Sequence, residues 1–178
     1  MKHPTKVFDE WAISGKDKGM EKSHAASVSE ILTYALDRLN DNNQFTFLDI
    51  GCGNGWVADK LSVNENCSLS IGIDGAENMI INANARRSKA SFFLKDINDF
   101  ELENKFDLIF SMEVLYYLDN PSKVINKIYD MLNPNGRFIM GIDHYFENKE
   151  CHNWQEKVGT RMHLFHEKEW INFFKNAN

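Results

Sequence analysis

A glycine-rich segment that begins with an acidic residue is the strongest chemical signal in the sequence. The segment is LDIGCGNG, residues 48–55, and its three alternate glycines allow a tight turn and close backbone approach to a ligand. A dinucleotide-binding loop would need a small residue where this chain has Trp56, and the Lys-Ser/Thr pair of a phosphate-cradling loop is missing. The Asp49 carboxylate would repel phosphate and attract a cation. The segment therefore predicts a site for a positively charged ligand rather than for a pyrophosphate.

Two more acidic residues follow apolar segments further along the chain. Asp74 could accept hydrogen bonds from both hydroxyls of a ribose, but an Asp at this position is also a good helix cap. Asp96, followed by Ile97, could accept the amino group of an adenine, or could be a surface turn residue. Met79 could lie against an adenine ring or in the core. The residues alone leave these alternatives open.

A fourth segment combines a buried strand with polar and aromatic residues. It reads FDLIFSMEVLYYL, residues 106–118, and its nearly continuous apolar run is typical of a strand buried on both faces. Glu113, next to this strand, needs a partner if it is buried. Tyr116 and Tyr117 could face a substrate or could be ordinary packing aromatics.

Strands and helices that alternate along the chain would position these residues. Such alternation indicates an α/β fold with a parallel sheet, and ligands bind such sheets beyond the carboxyl ends of the strands. Residues 5–24 read as a loop-rich or short-helical segment, and Asn133–Gly136 as a turn. The predicted strands are 45–50, 68–73, 91–94, 106–111 and 137–142, and the predicted helices are 27–39, 55–61, 76–87, 122–132 and 167–176.

Composition narrows the class of protein. The 178 residues are 43% hydrophobic and 26% charged, which is the balance of one globular domain. A net charge of -6 disfavours a broad nucleic-acid-binding face. No apolar run approaches the roughly 20 residues of a membrane span, and no signal-peptide core is seen, so we expect a cytoplasmic protein without membrane contact. The three cysteines and the histidines have no metal-ligand spacing, so we expect no metal.

Four motifs in order resemble those of the class I S-adenosylmethionine (SAM)-dependent methyltransferases, more closely the type 11 branch. The resemblance covers Phe45 to Ile142. It implies a three-layer Rossmann-like parallel sheet in the order 3-2-1-4-5 with helices on both faces, SAM as cofactor and S-adenosylhomocysteine as product. The similar segments are LDIGCGNG, GIDGAENM, KDIND, and FDLIFSMEVLYYL followed by LNPNGRFIMGI.

The resemblance also implies a cofactor site. The first motif would line the methionine part, the acid of the second would hold the ribose, the third would hold the adenine, and the end of the fourth strand would border the methyl group. The implied cofactor-binding residues are Asp49, Gly51, Gly53, Asn54, Gly55, Asp74, Gly75, Met79, Asp96, Ile97, Ser111 and Met112.

The sequence indicates much less about the acceptor of the methyl group. An Asn/Asp-Pro-Pro-Tyr motif, which amino-group DNA methyltransferases carry after the fourth strand, is absent; this chain has Ser111–Val114 there. Together with the acidic charge, this favours a small-molecule acceptor. The alternatives are an RNA methyltransferase and a protein that holds SAM or S-adenosylhomocysteine without catalysis. The catalytic residue is unknown, and the candidates are Asp143, His144, His24 and Tyr116.

We expect one domain, residues 1–178, in three parts. Residues 1–26 would form an N-terminal arm or lid, 27–142 the cofactor-binding core, and 143–178 a substrate-side segment with the last helix. The family's sheet ordinarily ends with an antiparallel hairpin, and no credible strand pair follows Ile142. We therefore expect the hairpin to be missing from a chain that is cut short. The fifth strand would then be an open edge through which an oligomer could form.

Overall fold

The computed structural model describes residues 1–39 and 44–177 and contains one five-stranded sheet. All four strand pairs are parallel, and the strand order is β3-β2-β1-β4-β5. The predicted α/β class and strand order are confirmed. The strands are β1 (Phe45–Ile50), β2 (Cys67–Asp74), β3 (Ser91–Leu94), β4 (Phe106–Met112) and β5 (Leu132–Gly141).

Helices cover both faces of the sheet. On β4, Ile109 belongs to one buried cluster while its neighbours Leu108 and Phe110 belong to the other, because successive side chains of a strand point to opposite faces. Helices α5 and α7 pack into the first cluster, and α2, α3 and α4 into the second. The helices are α1 (Pro4–Ile13), α2 (Asp17–Leu36), α3 (Trp56–Ser62), α4 (Glu77–Ala85), α5 (Pro121–Asp130), α6 (Trp154–Val158) and α7 (Glu167–Lys175), with 3-10 turns at Leu115–Tyr117 and Lys149–Cys151.

The N-terminal arm (residues 1–26) is more helical than predicted. It holds α1 and the first half of α2, which begins at Asp17, ten residues before the predicted start, and runs without a break across the expected boundary at residue 27. The apolar periodicity of α2 begins only at Val28, so periodicity could not reveal its earlier turns. The helix ends at Leu36, three residues before the predicted end at Leu39.

Strand β5 includes the segment predicted as a turn. The pairing with β4 jumps from Phe106↔Leu132 to Leu108↔Arg137, and Asn135, inside that jump, has a φ of 67°. The chain therefore both pairs and loops out here, which is why the strand begins earlier than predicted.

The fifth strand lies at an edge of the sheet, as predicted. Within the described residues no strand follows Gly141, and the segment beyond it makes one isolated bridge, between Thr160 and Lys2. Oligomerisation through this edge stays a prediction. No helix in the described ranges is long and apolar enough to cross a membrane.

Two glycines of the loop between β1 and α3 are required by the packing around them. Gly51 and Gly55 have φ values of 73° and 79°, a region that disfavours other residues. A Cβ on Gly51 would meet Val114, and one on Gly55 would meet Phe92 and Ala83. The loop can therefore pass close to β4 on one side and to α4 and β3 on the other.

Candidate functional site

Two adjoining cavities open at the carboxyl ends of β1, β2 and β4, where the sequence predicted a ligand. The first cavity spans about 670 Å³, including space open to solvent, between the glycine loop, the ends of β2 and β4, and α1. Its lining includes His3, Pro4, Thr5, Phe8, Met20, Gly51, Gly53, Asp74, Gly75, Met79, Asp96, Ile97, Asn98, Met112, Glu113, Val114, Tyr117 and Leu118.

The second cavity encloses about 500 Å³ under α2 and is richer in carboxyl groups. Four acids line it: Asp17, Glu21, Asp49 and Glu113. The two cavities share Met20, Gly51, Gly53, Met79, Met112 and Glu113. One ligand could therefore extend from one cavity into the other.

Asp49 is buried at the end of β1 with an unsatisfied oxygen. The residue is 2% exposed, and its Oδ2 atom has no hydrogen-bond partner. Burial raises the pKa of Asp49 to about 8, with a further contribution from the Asp74 charge. A carboxyl group in this state favours a cationic ligand, because a positive charge would supply the partner that the protein leaves out.

Asp74, at the end of β2, organises the glycine loop. Its Oδ2 atom accepts the Gly53 N–H at 2.9 Å, and its Oδ1 atom accepts the Ala76 N–H at 2.8 Å. Burial raises the pKa of Asp74, while these backbone donors oppose the rise. Asp74 is thus a loop tether and part of the cavity wall, whereas the N-cap of α4 is Ala76, which has no side-chain cap. Ribose binding by Asp74 stays a prediction.

The N-terminal arm closes over the first cavity. Asp9 on α1 accepts hydrogen bonds from the backbone N–H and the side-chain amide of Asn78 on α4, at 2.6 and 2.9 Å. Phe8 packs edge-on against Tyr117 with ring centroids 5.1 Å apart. A Cβ on Gly75 would lie 2.6 Å from the Thr5 side chain, so glycine permits this close approach.

Polar contacts also lock the arm to the glycine loop. Arg86 on α4 donates from Nε to the Asn54 carbonyl at 2.6 Å and forms an ion pair with Glu21 on α2. Asp17 Oδ2 accepts from the side-chain amides of Asn54 and Asn82, at 3.1 and 3.2 Å. The second cavity is therefore built jointly by the arm and the loop.

Glu113 stands where the two cavities meet. Its φ of 58° is unusual for a residue with a side chain. Its Oε2 atom accepts the Tyr116 hydroxyl at 2.7 Å, and its Oε1 atom accepts the Asp143 N–H at 2.6 Å. Burial raises the pKa of Glu113 to about 7, and the Tyr116 hydrogen bond opposes that rise. The group can therefore gain or lose a proton near neutral pH.

Most of the predicted cofactor residues line these cavities, and two do not. Gly55 faces Phe92 and Ala83, away from the cavities. Ser111 is buried and donates its hydroxyl to the Ile50 carbonyl, because its side chain points to the opposite face from that of Met112. The predicted residues that line a cavity are Asp49, Gly51, Gly53, Asn54, Asp74, Gly75, Met79, Asp96, Ile97 and Met112.

The catalytic candidates fall mainly behind the cavity wall. His24 lines the second cavity, with Nδ1 donating to the Met20 carbonyl at 2.8 Å. Tyr116 and His144 are buried with ring centroids 4.9 Å apart, and Asp143 reaches Glu113 through its backbone N–H. These three are outside both linings. Tyr116 and Asp143 donate hydrogen bonds to Glu113, and His144 packs against Tyr116.

Sequence reasoning missed several residues of the lining. Glu113 was noted only as a carboxylate in need of a partner, and Asp17, Thr5 and Phe8 carried no recognisable motif. Their roles depend on how the arm folds over the sheet, which the local sequence pattern does not show. Within residues 1–39 and 44–177, no group of three or more His, Cys, Asp or Glu side chains is arranged to hold a metal ion.

The fold, the glycine loop and the acids at successive strand ends define a class I SAM-dependent methyltransferase. Residues 41–178 match the family model described as "Methyltransferase domain", and the chain belongs to this family. It is 27% identical to the malonyl-[acyl-carrier protein] O-methyltransferase of Bacillus cereus over 150 residues, which are 83% of this chain and 55% of that protein. The chain spans about half the length of the first curated relatives it matches.

Solved structures agree with this assignment. A complex between the Haloferax volcanii Trm112 methyltransferase activator and a methyltransferase matches with a TM-score of 0.84 and 30% identity, covering 99% of this chain and 76% of that one. The N-methyltransferase NodS of Bradyrhizobium japonicum, in complex with S-adenosylhomocysteine, matches with a TM-score of 0.61 and 26% identity, over 80% and 70% of the two chains. The chain thus carries the methyltransferase domain of this family, and the unpartnered Asp49 fits a cationic cofactor.

We expect Asp74→Ala both to weaken the binding of S-adenosylhomocysteine and to lower the stability of the fold. Losing a charge-assisted acceptor for ligand hydroxyls costs about 1–3 kcal/mol, and leaving two loop N–H groups unpaired lowers the free energy of unfolding by a similar amount. Calorimetry measures the loss of affinity, and denaturant titration measures the loss of free energy of unfolding. Asp96→Ala is the matched control, since Asp96 lines the same cavity but bonds only to Asn98. It should weaken binding with little change in stability. Unchanged affinity in Asp74→Ala would remove the residue from the cofactor site.

Proposed function

We propose that the protein transfers the methyl group of SAM to a hydroxyl or amino group of a small molecule, with Glu113 accepting the proton that this group loses. The observation that carries the proposal is the Glu113 carboxyl group, which is fixed by two hydrogen bonds at the junction of both cavities. A general base must lie within reach of the proton it takes and must titrate near the working pH.

In this proposal the adenosine part of the cofactor occupies the first cavity and its amino-acid part the second. Asp74 would bind the ribose, Asp96 and Ile97 the adenine, and Asp49 the positively charged end. SAM supplies an activated methyl group on a sulfonium. The protein's own part is to orient the two partners and exclude water, which suits an aromatic wall such as Phe8 and Tyr117.

The charge of the cavities supports a neutral or cationic acceptor. Among the described residues that line them, there is no lysine or arginine, while six acids are present. A carboxylate or phosphate acceptor would meet repulsion here without a compensating cation. The Bacillus cereus relative is named for a malonyl carrier-protein substrate. The absence of a cation around these cavities favours a different acceptor in this chain.

An assay with isotopically labelled SAM tests the proposal. The panel would contain matched phenols, alkyl amines and carboxylic acids on the same aromatic scaffolds, with bulk tRNA as a further arm. Each acceptor is tested with the protein alone and with a Trm112-type activator, because a similar methyltransferase was solved in complex with Trm112. We expect transfer to phenols or amines. Transfer confined to carboxylic acids or to tRNA would contradict the proposal. Binding of S-adenosylhomocysteine without transfer in any arm would favour a non-catalytic role.

The rate should rise as the pH increases through about 7, because Glu113 must lose its proton before it can act as a base. Tyr116→Phe removes a hydrogen bond that favours the ionised form, so it should move the midpoint of the kcat profile to higher pH. Glu113→Gln should remove the pH dependence and lower kcat by about 100-fold or more. Tyr129→Phe, at an exposed position, is the control and should leave the profile unchanged. A Tyr116→Phe profile that coincides with the wild type would rule out this role of Glu113.

A further inference from the structure

The N-terminal arm contributes a carboxyl group to the second cavity that no motif of the sequence marks. Asp17 is the first residue of α2 and is 4% exposed. One of its oxygens, Oδ2, accepts from the side-chain amides of Asn54 and Asn82. The other, Oδ1, is buried without a hydrogen-bond partner. Burying a carboxyl oxygen without a hydrogen bond costs free energy, and a ligand that donates a hydrogen bond to it would remove that cost.

Asp49, at the end of β1, has the same feature. Its Oδ2 atom is also buried and unpartnered, and both residues line the second cavity. A third acid of that cavity, Glu21, is already paired with Arg86, and Glu113 has partners on both oxygens. Asp17 and Asp49 are therefore the two acids of the second cavity that keep a buried oxygen without a hydrogen-bond partner.

We propose that Asp17 and Asp49 together bind the cationic amino group of the cofactor, so that the N-terminal arm itself recognises the charged end of the ligand. The assignment rests on the cofactor placement proposed above. A primary ammonium fits because it has a positive charge and three donors, enough to reach the unpartnered oxygen of each residue. A metal ion fits less well, since no metal-holding group of three ligands exists among the described residues.

This pairing would make closure of the arm depend on the ligand. Asp17 is on α2, while Asn54 is in the glycine loop and Asn82 is on α4, so one side chain connects three parts of the site. A ligand without the amino group would leave both buried oxygens unsatisfied. The protein should therefore discriminate against such a ligand by charge rather than by shape.

The test measures two ligands against matched variants by calorimetry at pH 7. The ligands are S-adenosylhomocysteine and its deamino analogue, which keeps the adenosine and the carboxylate. Asp17→Asn should weaken the affinity for S-adenosylhomocysteine by about 10- to 100-fold, the scale of a charge-assisted hydrogen bond. It should change the affinity for the analogue by less than about threefold. Asp9→Asn is the control, since Asp9 also ties the arm to α4 but lines neither cavity. It should change the affinities for both ligands by the same factor.

Equal losses for both ligands in Asp17→Asn would overturn the proposal and leave Asp17 as a structural tether. An unchanged affinity for S-adenosylhomocysteine would overturn it as well. If Asp17→Asn does not fold, Asp17→Ser, whose hydroxyl can still accept from Asn54, must show the same selective loss. Failure of the wild-type protein to bind S-adenosylhomocysteine would instead contradict the proposed cofactor placement, so the two failures are distinguishable.

Discussion

Two carboxyl groups at the ends of neighbouring parallel strands are the constraint on which the site depends. Asp49 and Asp74 lie in the last two residues of β1 and β2, and the Asp74 charge adds to the burial that raises the pKa of Asp49. Asp74 is stabilised by two backbone N–H groups of the loop and the following turn, whereas Asp49 keeps one oxygen unpaired. The fold therefore makes ionisation of Asp49 unfavourable, and a cationic ligand would favour its ionised form.

The glycine loop and the N-terminal arm both hold these carboxyl groups in their positions. The loop can bend around Asp74 because Gly51 and Gly55 adopt left-handed backbone angles in crowded positions. The arm then seals the acids from water by contacts that are themselves polar, such as the Asp9 hydrogen bonds to Asn78. Exclusion of water strengthens every charge interaction inside, which is what a methyl transfer between two bound partners requires.

The strands could be predicted from local patterns, and their order from the resemblance of the motifs to a known family. Most of the proposed cofactor residues line the cavities for the same reason. A strand followed by a glycine loop, and acids at strand ends, are visible in a single sequence. The arm could not be predicted in the same way, since the first turns of α2 are polar and lack apolar periodicity. The role of Glu113 also escaped prediction, because it depends on a left-handed backbone angle and on a hydrogen bond from Asp143, 30 residues away. Asp143 and His144, which follow β5, were catalytic candidates, yet His144 is buried against Tyr116, which donates a hydrogen bond to that glutamate.

The linkage between cofactor binding and protons tests this account most directly. With a pKa of about 8, Asp49 is largely protonated at pH 7 in the free protein, and a bound ammonium would favour its ionised form. Calorimetric titration of S-adenosylhomocysteine in buffers of different ionisation enthalpy measures the protons exchanged on binding. The account predicts release of close to one proton at pH 7, and loss of that release in Asp49→Asn. Binding without proton release, or with proton uptake, would contradict the claim that a buried, unpaired Asp49 receives the cationic end of the cofactor.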